Sequence, residues 1–139
     1  MRLYLSRLFS TAAVAICMSG VVHADQAKDF QSSTSVSQIA KMGAKQMAGT
    51  SIQKIFAGRT LKNPNWTWTF KKNGVQSSKA NDGAWTDKGT WEVKGNEFCR
   101  QSEMSKGKEM CSKVYVLGRD LKFSDHQNAK KLKDWYISY

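Results

Sequence analysis

From Trp66 onward, large apolar side chains recur at every second position of this chain. In the segment WTWTF, residues 66–70, the aromatic residues fall on one side of an extended backbone and the two threonines on the other. Asn73 and Gly74 follow, and an Asn-Gly pair is typical of a tight turn between antiparallel strands. A period of two is that of a strand, so residues 66–70 are predicted to begin a β-hairpin.

The same rhythm continues to the end of the chain. Short apolar segments are separated by glycines six to twelve residues apart, at positions 74, 83, 89, 95, 107 and 118. The segments predicted as further strands are residues 75–79, 89–94, 98–102, 110–117, 121–123 and 134–139. This spacing indicates a mainly β fold of six or seven strands, an antiparallel meander or a small curled sheet or barrel.

One short helix is predicted before the strands. Ile52, Ile55 and Phe56 recur at helical spacing, and Gly58 is a typical helix end. The β-rich domain is therefore assigned to residues 50–139. Residues 25–49 are rich in Ser, Gln, Lys and Ala and are predicted to form a polar tether, partly helical where Ser35 and Gln38 have the spacing of a capping box.

The N-terminus has the pattern of a cleavable signal peptide. Arg2 and Arg7 precede an apolar stretch over residues 8–22, and a small-residue cleavage site ends at Ala24. Polar interruptions leave this stretch short for a membrane crossing, so no transmembrane segment is expected in the mature chain. We predict a periplasmic or secreted protein; lipid attachment at Cys17 is the alternative.

The mature chain is strongly basic. Residues 1–24 contain two of the 22 basic residues and none of the 11 acidic ones, so cleavage leaves a net charge of +9. Lysines supply most of this charge, whereas base and phosphate recognition depends largely on arginine, so no nucleic-acid partner is expected. A solvated surface is the simplest interpretation, and an anionic glycan, lipid or protein partner is the alternative.

Cys99 and Cys111 remain after cleavage and are predicted to form a disulfide. The alternative is a zinc site with His126 as a third ligand, but the paired Cys-x-x-Cys spacing of zinc sites is missing. We therefore expect no metal and no cofactor.

The mature chain shows no motif typical of an enzyme. His126 is its single histidine, and no nucleophile elbow or phosphate-binding glycine loop is present. An alternative is a hydrolase of an envelope polymer in which Glu92 and Glu97, on either side of a predicted turn, act as acid and base. We expect a non-enzymatic protein.

Three residues are predicted as candidates for ligand binding. Trp85 lies in a loop-like segment, where an aromatic ring can stack on a sugar or close a pocket. Lys106 and Lys108 lie on the connection between the two cysteine-bearing strands and can contribute to a basic patch. A further alternative is that this connection, residues 103–109, plugs the active site of another enzyme as an inhibitor.

The order of several short motifs resembles that of a known family. Residues 89–93 (GTWEV), the first cysteine in residues 95–100 (GNEFCR) and the second in residues 111–115 (CSKVY) follow one another between residues 56 and 123. This arrangement is similar to a family of small exported bacterial proteins catalogued as a domain of unknown function. The resemblance implies export and a β fold, and it implies no activity. The expected function, that of an exported binding or envelope-associated protein, depends instead on the predicted export, the net charge of +9 and the missing catalytic motifs.

Overall fold

The computed structural model describes residues 23–139. The predicted signal peptide, including Cys17, lies outside the described residues except for its last two positions. In chain order the elements are α1 (Ala24–Ser32), α2 (Val36–Lys41), β1 (Lys45–Gln46), α3 (Gly49–Phe56), β2 (Arg59–Lys62), β3 (Trp66–Phe70), β4 (Val75–Ala80), β5 (Thr86–Lys94), β6 (Glu97–Ser102), β7 (Met110–Leu117), β8 (Asp120–Phe123) and β9 (Ile137–Ser138).

Eight of the strands form a closed antiparallel barrel. Strands β2 to β8 pair with their neighbours in the sequence, and β9 joins β2 to β8 and so closes the ring. The ninth strand, β1, pairs with the end of β7 that β6 does not cover. Because the ring is closed, each of its strands has a hydrogen-bonded partner on both sides. The barrel therefore lacks the open edges that a flat sheet would expose.

The mainly β prediction is confirmed, but the expected six or seven strands were too few. The strands missing from the prediction, β1 and β2, have two and four residues, too few for a period of two to be recognised. Residues 23–139 also contain three helices, whereas one was expected beside the strands. No helix within residues 23–139 is long and apolar enough to span a bilayer.

Helix α3 closes one end of the barrel. Ile52 and Phe56 are fully buried, and the Phe56 ring centroid lies 4.8 Å from that of Phe70 and 5.1 Å from that of Phe98. These are contacts between the apolar face predicted for the helix and the inward side of the strands. The core therefore fills the end of the barrel next to α3.

Residues 25–49, predicted as a polar tether, contain α1, α2 and β1 and lie against the outside of the barrel. Phe30 and Ile39 are fully buried in a second cluster with Tyr115 and Leu132. The capping box predicted at Ser35 and Gln38 is present at the start of α2.

A buried lysine also joins this segment to the barrel. Lys122, on β8, has no exposed surface, and its Nζ atom donates hydrogen bonds to the backbone oxygens of Gln31 (2.8 Å) and Ser33 (2.7 Å). These acceptors lie at the C-terminal end of α1, where helix carbonyls lack partners within the helix. Burial lowers the pKa of Lys122 from its usual value, and Asp134 opposes this effect.

The predicted disulfide is present between Cys99 and Cys111, which face each other on β6 and β7. Because both sulfur atoms are used in this bond, the alternative zinc site with His126 lacks its thiolate ligands. A disulfide of this kind is typical of proteins in oxidising compartments.

Candidate binding cleft

A cleft opens at the end of the barrel opposite α3. Its volume is about 190 Å³, and we call it the tryptophan cleft because four of its eight lining residues are tryptophans. The lining consists of Trp66, Trp68, Ser78, Trp85, Asp87, Arg100, Met104 and Trp135.

The tryptophans reach the cleft from three parts of the chain. Trp66 and Trp68 occupy alternate inward positions of β3, Trp85 directly precedes β5, and Trp135 lies on the segment before β9. The ring centroid of Trp66 is 5.4 Å from that of Trp135, with the two planes at 80°, and 6.2 Å from that of Trp85. Trp68 is buried and the other three are half-buried, so the cleft has flat apolar walls that remain accessible.

Asp87 and Arg100 supply charged groups to the cleft. They lie on inward positions of β5 and β6, and the Asp87 Oδ2 atom is 3.4 Å from Nη1 of Arg100. The Asp87 side chain is only 1% exposed, whereas that of Arg100 is 22% exposed. Arg100 also stacks on the indole of Trp68, with Cζ 5.3 Å from the ring centroid. This is an arrangement of cation–π type, and it holds the guanidinium against one wall of the cleft.

Arg100 is the cation of this site. Burial lowers the pKa of its guanidinium from the usual value, and the Asp87 carboxylate acts in the opposite direction. Arginine nevertheless keeps its proton in proteins at neutral pH. The exposed part of the guanidinium can therefore donate hydrogen bonds to a ligand.

Trp68 is held in place by a second buried polar residue. Its Nε1 atom donates a 2.6 Å hydrogen bond to Oε1 of Gln76, which is fully buried on β4. The Gln76 Nε2 atom has no hydrogen-bond partner within residues 23–139. The cost of burying this amide is offset in part by its bond to the indole, which fixes the ring beneath Arg100.

The connection between β6 and β7 forms part of the rim. The backbone nitrogen of Met104 donates to Oδ1 of Asp87 at 3.0 Å, and Met104 is 57% exposed. Ser105 stabilises the same connection, because its hydroxyl accepts from the Ser102 nitrogen at 2.9 Å. Asp87 thus contacts both Arg100 inside the barrel and the backbone of the rim.

Of the three binding residues predicted from the sequence, one lies in the cleft and two do not. Trp85 lines the tryptophan cleft. Lys106 and Lys108 are exposed on the same connection as Met104, but they are not among the lining residues.

The carboxylate pair considered for hydrolysis lies elsewhere, on the outside of the barrel. Glu92 faces Cys99 across the β5–β6 ladder, and Glu97 faces Lys94, two positions away. The Lys94 Nζ atom is 3.2 Å from Glu92 and also contacts Glu109. The hydrogen bonds that Lys94 donates to Glu109 and to Glu92 raise its pKa, so the positive charge there is stabilised.

Sequence reasoning missed Asp87, Arg100, Ser78 and Met104 as cleft residues. The available signal was a charged or polar residue at an inward strand position, as with Arg100 two residues after Phe98. Asp87 gave no such signal because it lies between the loop-like segment of Trp85 and the strand predicted to begin at residue 89. Trp66, Trp68 and Trp135 lie in segments predicted as strands, where core packing is the usual role of a tryptophan. That role describes Trp68 but leaves out the accessible faces of the other two.

Comparisons with models of protein families, with curated proteins and with solved structures give no match for this chain. The family resemblance of residues 56–123 therefore stays a prediction.

Proposed function

We propose that this protein is an exported, non-enzymatic binding protein that holds a small organic ligand in the tryptophan cleft. The observation that carries the proposal is the combination of accessible indole faces with a partly exposed Arg100, paired to the buried Asp87, at one concave site. Apolar walls with a few placed polar groups are the usual composition of ligand sites in proteins. The mouth of a small barrel is a common place for such a site.

The lining suggests the chemistry of the ligand. The faces of Trp66, Trp85 and Trp135 match a flat apolar surface, such as an aromatic ring or one face of a sugar. Arg100 matches an acceptor or anionic group at the edge of that surface. The cleft, at about 190 Å³, is below the roughly 300 Å³ at which drug-sized sites begin, so it suits one or two rings or one end of a longer molecule.

The partners of Asp87 support a binding role over catalysis. Its two carboxylate oxygens are engaged by Arg100 and by the Met104 backbone, so neither is free to act as a general base. Among residues 23–139, the cleft lining contains no histidine, cysteine or second carboxylate. General acid–base or nucleophilic catalysis needs such groups within reach of a substrate.

The probe 8-anilinonaphthalene-1-sulfonate tests the site, because it combines fused aromatic rings with one sulfonate. We expect one equivalent to bind with energy transfer from tryptophan, and more tightly than the uncharged N-phenyl-1-naphthylamine because Arg100 meets the sulfonate. Trp85→Ala should weaken binding about tenfold, or about 1.4 kcal/mol.

Val75→Ala is the matched control, since Val75 is an exposed apolar residue at the other end of β4. An equal loss in this variant, or no loss in Trp85→Ala, contradicts the assignment of the site. Native mass spectrometry of protein purified from the exported fraction, beside a denatured control, then looks for a bound natural ligand. A chain that is retained in the cytoplasm with residues 1–24 intact would contradict the proposed export.

A further inference from the structure

The outer wall of β2 to β5 carries two rows of lysine and hydroxyl side chains. Each row contains one residue from each of the four strands, paired with its neighbours in the row. The first row consists of Lys62, Thr67, Lys79 and Thr86, and the second row consists of Thr60, Thr69, Ser77 and Lys88. These eight residues, which we call the lysine–hydroxyl face, alternate with the inward residues that form the core and the cleft. None of the eight is acidic, although the sequence also contains 11 acidic residues.

The three lysines of this face are not neutralised. Lys62, Lys79 and Lys88 are exposed, and none has a carboxylate within 4 Å in the part of the chain that the structure describes. Lys62 and Lys79 are separated by one strand, so their Cα atoms are about 10 Å apart, and Lys88 is one strand beyond Lys79 in the next row. Charges at this spacing repel one another at low salt, and a bound anion would remove that cost.

Hydroxyl groups fill the positions between the lysines. A groove of about 280 Å³ lies along the face. Its lining consists of six residues of the face (Thr67, Thr69, Ser77, Lys79, Thr86 and Lys88) and of Ser78 and Asp87, which occupy inward positions. The Asp87 side chain is buried, so its carboxylate is turned away from the groove. The Thr60 and Thr69 hydroxyls are 2.9 Å apart and hydrogen-bond each other across β2 and β3. Each hydroxyl can donate and accept, so the groove offers partners for sugar hydroxyls as well as for acidic groups.

We propose that the lysine–hydroxyl face binds an anionic polysaccharide, with its acidic groups on the three lysines and its sugar hydroxyls on the threonines and Ser77. Charge complementarity and a row of hydroxyls about 14 Å wide, across four strands, match several sugar units of an extended chain. None of the eight residues of the face lines the tryptophan cleft, although the groove borders the cleft at Ser78 and Asp87. The proposal does not depend on the function proposed for the cleft.

The composition of the face favours a polysaccharide over two other anionic partners. It has no aromatic residue or arginine, which single-stranded nucleic-acid sites use for stacking and for phosphate. It also has no large apolar side chain to enter a lipid surface, because the exposed large hydrophobic residues within residues 23–139 are Val75 and Met104.

Binding to dextran sulfate, measured by isothermal titration calorimetry in 50 mM salt, tests the proposal, with uncharged dextran as the reference polymer. We expect the wild-type protein to bind only the sulfated polymer. The triple variant Lys62→Gln, Lys79→Gln, Lys88→Gln should bind at least about tenfold more weakly and depend less on salt. Trp85→Ala should bind dextran sulfate as the wild type does, which separates this surface from the cleft.

The control removes the same charge from exposed lysines on the other side of the barrel, with Lys28→Gln, Lys41→Gln and Lys130→Gln. An equal loss in this control means that net charge alone drives binding and overturns the proposal. A larger loss in Lys106→Gln with Lys108→Gln overturns it in favour of the 103–109 connection. Binding to phosphatidylglycerol vesicles but not to dextran sulfate overturns it in favour of a membrane, and absence of binding to either polymer also refutes it.

Discussion

The carboxylate of Asp87 lies 3.4 Å from the guanidinium of Arg100, inside the barrel and beneath the tryptophan cleft. Its other oxygen accepts a hydrogen bond from the Met104 backbone at the rim. One buried carboxylate therefore connects β5, β6 and the 103–109 connection. Because it is almost fully buried, removing either partner would leave a charge without compensation.

Asp87→Ala should destabilise the fold by about 3 kcal/mol, because it leaves Arg100 without its partner in a partly buried site. Asp87→Asn should cost less, since an amide oxygen can still accept from Met104. Urea denaturation measures both free energies of unfolding, with the exposed Glu103→Ala as the control carboxylate. A loss in Asp87→Ala no larger than that of the control would show that the pair contributes nothing.

Gly89→Ala should destabilise the barrel by about 3 kcal/mol, because a Cβ atom at Gly89 would lie 1.9 Å from the backbone oxygen of Gln101. This contact is with backbone on β6, so a side-chain rotation cannot relieve it. Thr90→Ala, at the exposed neighbouring position, is the control. Thermal unfolding followed by circular dichroism compares the two, and equal melting temperatures would contradict the close approach of β5 to β6.

Replacing both Cys99 and Cys111 by alanine should lower the free energy of unfolding by about 3 kcal/mol, because the bridge closes a short loop in the unfolded chain. Reduction of the wild type should have a similar effect. Denaturation curves with and without reductant measure it. The double variant should no longer respond to reductant, and a remaining response would point to another cause.

Lys122→Met should loosen α1 from the barrel, because the backbone oxygens of Gln31 and Ser33 lose their buried donor. Hydrogen exchange in residues 24–33 should become at least about tenfold faster, while the interior of β5 and β6 keeps its protection. Lys41→Met, on the exposed side of α2, is the control. Unchanged exchange in residues 24–33 would show that Phe30 alone holds this helix.

Asp125 should titrate with a pKa of about 2, below its ordinary value of 3.8. Hydrogen bonding from the Gln127 backbone is the main cause, and the Lys133 side chain is the second. Because the pKa is lower in the folded protein, the associated stabilisation is present above about pH 4 and is lost as the pH falls towards 2.

The carboxyl ¹³C shift of Asp125, followed by NMR during acid titration, measures this pKa. Lys133→Met should raise it only in part, since the Gln127 bond remains. A wild-type midpoint near 3.8 would contradict the prediction.

Local signals in the sequence were sufficient for most of the barrel strands. The alternation in residues 66–70, the Asn73-Gly74 turn and the apolar stripe of Ile52 and Phe56 each lie within a few residues, and each formed the predicted element. The Cys99–Cys111 bridge also followed, because these two cysteines are the pair that remains after the predicted cleavage, and both lie on predicted strands.

The features that the sequence did not predict depend on contacts between residues far apart in the chain. Phe30 gave no periodic signal in its polar segment, since its burial comes from Tyr115 and Leu132, far along the chain. The glycine spacing predicts a strand that begins at Gly89. In the structure Gly89 lies inside β5, where the backbone of β6 leaves no room for a side chain. Neither result can be obtained from a window of ten or fifteen residues.

The residues of the tryptophan cleft were also predicted only where a local signal marked them. Trp85 was identified because an aromatic residue in a polar loop is unusual by itself. The contact between Asp87 and Arg100 depends on the pairing of β5 with β6, which places both side chains inside the barrel.

The sequence by itself determined the two-residue period, the hairpin turns, the helix α3 and the cysteine pair, because backbone preference and side-chain alternation are local properties. Only the tertiary structure decided which inward positions became core and which became cleft. That division arises because α3 fills one end of a closed ring, while the rim at the other end leaves tryptophan faces accessible above the partly buried Asp87–Arg100 pair. The lysine–hydroxyl face likewise exists only because pairing aligns separate strands into rows.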